Sequence, residues 1–319
     1  MKKLPFLGLA GGLTGAGLLL LHYIFRRIFY NSDKWKAQPV PIPDSPQYKR
    51  DYETIKKLIE GVKAQPFEEV TIVSYDGTPL YGRYYHIPGH DENCPVQIQF
   101  HGYHGGAVRE FAGTRQCEWE LGCDTLLTDM RAHGKSGGNI TTFGIRERHD
   151  VAAWCRYACR RFGKDRPVLI SGVSMGAASV LMASDMPDLP ENVRGVIADS
   201  PYDSPKDIIC KVVEDMGLPA GPVWKLIRAA ARLYGHFNIE ESSALLSASR
   251  TRLPILIYHG DADRLVPWQM SRRIAGAAGD ARLEIFPDGA HGVSFLRDPG
   301  RYMQIMADFV QRATGFRQE

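Results

Sequence analysis

The sequence has no Cys-x-x-Cys pair, no regular cysteine ladder, no internal repeat and no low-complexity tract. Its six cysteines, at 94, 117, 123, 155, 159 and 210, therefore read as buried or free thiols, not as a disulfide frame or a zinc site. A dominant charge is lacking too, since 39 Lys and Arg stand against 36 Asp and Glu, a net +3. Lys2, Lys3, Arg26, Arg27, Lys34 and Lys36 against Asp33 alone give residues 1–36 a charge of +5, leaving −2 for the rest. So balanced a body speaks against a nucleic-acid partner. Apolar residues form 44% of the 319 and charged ones 24%, which excludes a mainly disordered or collagen-like chain and a polytopic membrane protein. A chain of this length buries a large core without staples.

What is present begins with one long apolar run. Residues 4–25 contain no Lys, Arg, Asp or Glu and are flanked by Lys2-Lys3 and Arg26-Arg27. These 22 residues match the roughly 20 that a bilayer core requires. No small-x-small cleavage site follows, so a removable export signal does not fit. The expectation is a single-pass N-terminal transmembrane helix, with residues 1–30 anchoring the protein in the cell membrane. The short basic start tips the body toward the extracytoplasmic side. Residues 31–65 read as a connector, with Pro39, Pro41, Pro43 and Pro46 ahead of a charged helix. Every turn that could carry chemistry lies beyond residue 100, so a chain starting near Pro39 is expected to keep its activity.

From residue 66 to 319 the pattern is that of an α/β domain. Strand-like runs occur at 70–75, 80–86, 96–100, 125–128, 168–171, 193–198, 255–258 and 283–286. Asp76-Gly77 signals a hairpin between the first two. Helical stretches at 146–162, 177–185, 269–278 and 301–314 separate later ones. This order predicts a mainly parallel eight-stranded sheet with helices on both faces. Residues 201–250 are too long for a simple crossover and contain two helical stretches. Ligands of such sheets bind beyond the carboxyl ends of the strands, so the turns there are where chemistry belongs.

The sharpest turn is Gly172-Val173-Ser174-Met175-Gly176, between a strand and a helix. A G-x-S-x-G match alone is weak, but a nucleophile elbow needs this strand–turn–helix setting to lift the serine hydroxyl above the sheet. A serine hydroxyl is a poor nucleophile until a base takes its proton, and a carboxylate must orient that base. His291, in Gly289-Ala290-His291-Gly292 after the last strand, is the candidate base. Asp263, in the loop His259-Gly260-Asp261-Ala262-Asp263, is the candidate acid, with Asp261 bracing the loop and Asp199 a third carboxylate to consider. An oxyanion hole needs two backbone N–H donors. They are assigned to Met175, next to the nucleophile, and Tyr103, in the turn His101-Gly102-Tyr103-His104-Gly105-Gly106. His101 and His104 are expected to shape that turn; no acidic residues at ligand spacing make them a metal site.

These residues together resemble the alpha/beta-hydrolase fold serine hydrolases. The loop Asp129-Met130-Arg131-Ala132-His133-Gly134-Lys135-Ser136-Gly137 adds to the likeness, with alanine at 132 where that family usually has glycine. The resemblance runs from about residue 70 to the C-terminus and implies that residues 201–250 lie over the cleft as a small helical cap. With the apolar N-terminus, it extends to bacterial membrane-associated hydrolases related to esterases and serine aminopeptidase-like proteins. It implies a cofactor-free hydrolase for a small acyl substrate, most simply a carboxylic ester, with peptide or thioester cleavage as alternatives. From a different class, a non-catalytic binding or scaffold protein could use the same fold.

Overall fold

The computed structural model describes residues 6–44, 46–87, 89 and 94–317, with only the backbone given for 6–14, 47, 116 and 117. Eight strands form one sheet: β1 (Glu68–Val73), β2 (Pro79–Tyr85), β3 (Val96–Phe100), β4 (Asp124–Thr128), β5 (Val168–Val173), β6 (Val193–Asp199), β7 (Ile255–Gly260) and β8 (Ala281–Phe286). Their order is β1-β2-β4-β3-β5-β6-β7-β8. β2 pairs antiparallel with both β1 and β4, and every other pairing is parallel. The Asp76-Gly77 hairpin closes with the Ser74 N–H donating to Thr78 O at 2.9 Å.

Alternation along each strand sends neighbouring side chains to opposite faces. Ile170, Val196 and Ile257 meet the helices Glu147–Phe162, Met175–Ala183 and Trp268–Ala277 on one face. Leu169, Ile197 and Leu256 turn to the other face, which is covered by the helix Pro299–Thr314 through Tyr302, Ile305, Met306 and Phe309. Both faces are thus buried, as a mainly parallel sheet requires. The insertion after β6 folds as the helices Pro205–Asp215, Ala220–Gly235 and Ala244–Ala248.

The N-terminus corrects the sequence reading. Its apolar run does form a helix, Phe6–Ile28, but among the described residues no helix is long and apolar enough to cross a membrane. Lys2, Lys3 and Leu4 lie outside the described residues. The expected transmembrane anchor, the membrane partner and the extracytoplasmic placement built on it are therefore withdrawn. The physical reason is that the second half of this helix packs on protein. Leu21, Ile24, Phe25, Ile28 and Phe29 join the main core, and Phe29 is 0% exposed. Phe25 and His22 meet the Tyr234 ring, whose hydroxyl donates to Leu18 O at 2.9 Å. Phe29 stands edge-on to Phe143 and Phe237. The chain then continues along the body: the Asn31 N–H donates to Asn139 O at 2.8 Å, and Thr141 N–H donates to Phe29 O at 2.8 Å.

Candidate active site

Ser174 sits between the end of β5 and the helix Met175–Ala183, with φ +55° and ψ −114°. Such a conformation costs an ordinary residue about 1–3 kcal/mol and persists only where its surroundings impose it. The surroundings here are two close backbone approaches. A Cβ on Gly176 would lie 1.8 Å from Phe100 O, and one on Gly172 would lie 2.3 Å from the Gly176 carbonyl carbon. Only glycine on both sides lets β5 and the helix turn this sharply.

Asp263 and His291 meet from two different loops. The Asp263 Oδ1 accepts from the N–H groups of Leu265 and Val266 at 2.8 and 2.9 Å. Its Oδ2 accepts from His291 Nδ1 at 2.7 Å and lies 3.2 Å from His259 Nε2. Burial opposes a charge on Asp263, but His291 and His259 outweigh it and hold this carboxyl well below the usual carboxylate range. Burial likewise disfavours protonated His291, yet the neighbouring Asp263 charge raises its pKa above the ordinary histidine value. With Nδ1–H engaged by Asp263, Nε2 is the nitrogen left to take a proton.

Asp199 lines the same cavity but makes no bond to His291; its Oδ1 accepts from Ser200 Oγ at 2.8 Å. Burial pushes its pKa up to about 6. Asp261 accepts from the Asp288 N–H at 2.8 Å and so ties two loops together. Ser174 and His291 share the cavity wall, with no hydrogen bond between them in this arrangement. Such contacts often tighten only once substrate is bound.

Two contributors were not legible in the sequence. His259 opens the Asp263 loop and braces it, with Nδ1 2.6 Å from Ser271 Oγ and Nε2 donating to Val266 O at 2.9 Å. Glu110 braces the turn after β3, where its Oε2 accepts from the Gly102 N–H and its carboxyl group fills the space a side chain at Gly105 would need. Glu110 lies in a helix after that turn, and nothing in its spacing marks it.

Tyr103 lies in this same turn, and Met175 directly follows Ser174 at the head of the next helix. Tyr103 is held from an unexpected side. Its hydroxyl donates to Ile28 O at 2.9 Å, and its ring stacks on His104 and Phe143. His104 Nε2 lies 3.1 Å from Asn31 Oδ1, and Trp35 packs on both His104 and His133. The end of the N-terminal helix thus buttresses the turn. His101 bridges Gly102 O at 2.8 Å and the Met130 N–H at 3.0 Å, and burial lowers its pKa to about 4. Among the described residues no group of three His, Cys, Asp or Glu could hold a metal ion.

A cavity of about 350 Å³ opens beside Ser174 and His291 and runs inward along the sheet face. Its roof includes Ile42, Pro43, Tyr48, Ile55 and Leu58, and it takes no residue from 201–250, where the family resemblance places a cap. The roof is tied down where the Tyr48 hydroxyl donates to His291 O at 2.8 Å and Asp51 pairs with Arg297.

Comparisons with known proteins agree with this architecture. The profile of a family described as alpha/beta hydrolase fold matches residues 100–219. The uncharacterized protein YfhR of Escherichia coli is 29% identical over 256 residues, covering 77% of this chain and 81% of its own. The uncharacterized protein YqkD of Bacillus subtilis is 24% identical over 253 residues, again 77% of this chain and 81% of its own. Among solved structures, the Pyrococcus furiosus esterase Pf2001 superposes with a TM-score of 0.62 at 20% identity, over 88% of this chain and 98% of that one. Est1E of Butyrivibrio proteoclasticus, solved with ferulic acid bound, gives 0.60 at 22% identity, over 77% and 100%. With its mainly parallel sheet, its strained serine turn and these likenesses, the chain has the alpha/beta-hydrolase fold.

Proposed function

We propose that this protein is a serine hydrolase that cleaves a carboxylic ester through Ser174, His291 and Asp263. The observation that carries the reading is the 2.7 Å Asp263–His291 hydrogen bond, set in the wall of the cavity that also holds the strained Ser174. His291 Nε2 takes the Ser174 proton as Oγ attacks the ester carbonyl. The oxygen, now negative, is met by the Met175 and Tyr103 N–H groups. His291 then gives its proton to the leaving alcohol, and the acyl group stays on Ser174. Water attacks that acyl-enzyme with His291 again as base, releasing the acid and restoring the serine. Asp263, kept ionised, fixes the imidazole and stabilises its protonated form.

The test is labelling by a fluorophosphonate, with turnover of p-nitrophenyl esters and aminoacyl anilides alongside. Labelling of the native chain but not of Ser174→Ala, with ester turnover, is the expected result. Absence of labelling would overturn the enzyme reading, and cleavage of anilides in preference to esters would overturn the substrate class.

A further inference from the structure

The inner end of the cavity is polar where the fold calls for apolar side chains. β3 reads Val96-Gln97-Ile98-Gln99-Phe100, an alternation that normally marks a strand with one face in water. Here β3 lies between β4 and β5, with all five residues buried. Strands buried on both faces are otherwise near-continuous apolar runs. Gln97 and Gln99 therefore project from the buried face, and both line the cavity with Ser171.

Their amide nitrogens are engaged, because Gln97 Nε2 donates to Ser171 Oγ at 3.0 Å and Gln99 Nε2 donates to the fully buried Glu118. Their carbonyl oxygens are not: Gln97 Oε1 and Gln99 Oε1 are buried without a hydrogen-bond partner among the described residues. Buried polar groups are nearly always paired in a folded protein, and an orphan calls for an explanation. Two unpaired acceptors at the floor of a cavity that opens on Ser174 have one when the occupant supplies a donor.

From this we infer that the site takes an acyl group with an apolar stem and a hydroxyl at its far end. The inference rests on the proposed hydrolase reading and names its substrate class. The stem follows from the walls, among them Leu58, Phe111, Ile197 and Met306. The hydroxyl follows from the two orphan acceptors. An ammonium fits less well, because burial pushes the pKa of Glu118, the carboxyl at this end, up to about 8 in spite of Arg115, leaving it little negative charge to oppose one. The acyl part is assigned to this end because it remains on the serine after the alcohol has left, and the leaving group needs the open end. Gln99 pairs with Ser171, three residues before Ser174. At about 3.3 Å per residue that is about 10 Å, the span of an extended chain of roughly eight carbons.

The experiment compares p-nitrophenyl octanoate with its 8-hydroxy and 8-amino counterparts on the full chain, with fluorophosphonate labelling of Ser174 in parallel. The native protein should favour the 8-hydroxy ester over octanoate by at least tenfold in kcat/KM and over the 8-amino ester as well. Gln99→Leu, which replaces one acceptor with an apolar group of similar size, should reverse the order of the first two. Because the native substrate series needs no variant, poor folding of Gln99→Leu would leave the test intact. Labelled enzyme that shows no preference, or prefers octanoate or the amine, overturns this inference alone. A chain that neither labels nor turns over any ester overturns the hydrolase reading and this inference with it.

Discussion

Ser174, His291 and Asp263 are each held in a state that isolated side chains do not adopt. The serine is strained, the histidine is more basic than usual, and the aspartate is ionised despite its burial. Replacing any one by a non-functional residue (Ser174→Ala, His291→Ala, Asp263→Asn) should cut kcat roughly 10³–10⁶-fold, with far from additive losses when combined. Circular dichroism should show each variant folded. Asp199→Asn should keep turnover within about tenfold of the parent, since its carboxylate is hydrogen-bonded to Ser200 and not to His291; a loss matching Asp263→Asn would reassign the acid. The sign of the pH effect follows from the same geometry. His291 must be neutral to accept a proton, and Asp263 raises its pKa. The acid limb of kcat/KM should therefore lie above about 6.5, the ordinary histidine value. A limb below that value, or a flat profile to pH 4, would remove His291 as base. The three residues of the proposed triad stand out in the sequence because each lies in a short motif at a strand end. Their supporting partners do not: His259 and Glu110 act through contacts that no local spacing announces.

Among the elements, the N-terminal helix departs furthest from its sequence reading. An apolar stretch looks the same in sequence whether lipid or protein covers it, because hydropathy records the wish for cover and not its source. The partners of Phe25 and Phe29, Tyr234 and Phe237, are about two hundred residues away, a separation beyond any periodicity argument. Truncation to Pro39 now has a different expected outcome. It removes Phe25 and Phe29 from the core, together with Ile28, Asn31 and Trp35 behind the Tyr103 turn. Phe29→Ala alone should destabilise the protein by about 3–5 kcal/mol, measured by urea unfolding. Tyr103→Phe keeps the ring and loses only the bond to Ile28 O, a change of about 1 kcal/mol in stability. If that bond positions the oxyanion donor, kcat should fall several-fold with KM little changed. An unaltered kcat would make the bond merely structural. The roof of the cavity was also hidden in the sequence, since a proline-rich connector gives no sign of the surface it will cross.

At the scale of the whole molecule, the sheet was the most legible part. Eight runs of strand-forming residues, with a turn or helix after each, leave little freedom once both faces must be covered. The buried glutamines of β3 were the exception, their alternation pointing to water that the fold excludes. Because the N-terminal helix shares its core with the insertion after β6, the chain should unfold as one unit. Calorimetry should show a single transition with equal calorimetric and van't Hoff enthalpies, and a separate early step for residues 6–36 would contradict this shared core. The helix also sets a timetable. During synthesis its apolar face emerges well before its partners, Phe143 and then Tyr234 and Phe237. For that interval the nascent chain carries an uncovered greasy segment, the kind of surface that chaperones bind and that aggregates grow from. Tyr103 leans on Ile28 of that same helix, so its backing settles only once the helix is covered, and a stalled chain would be exposed and unfinished at once.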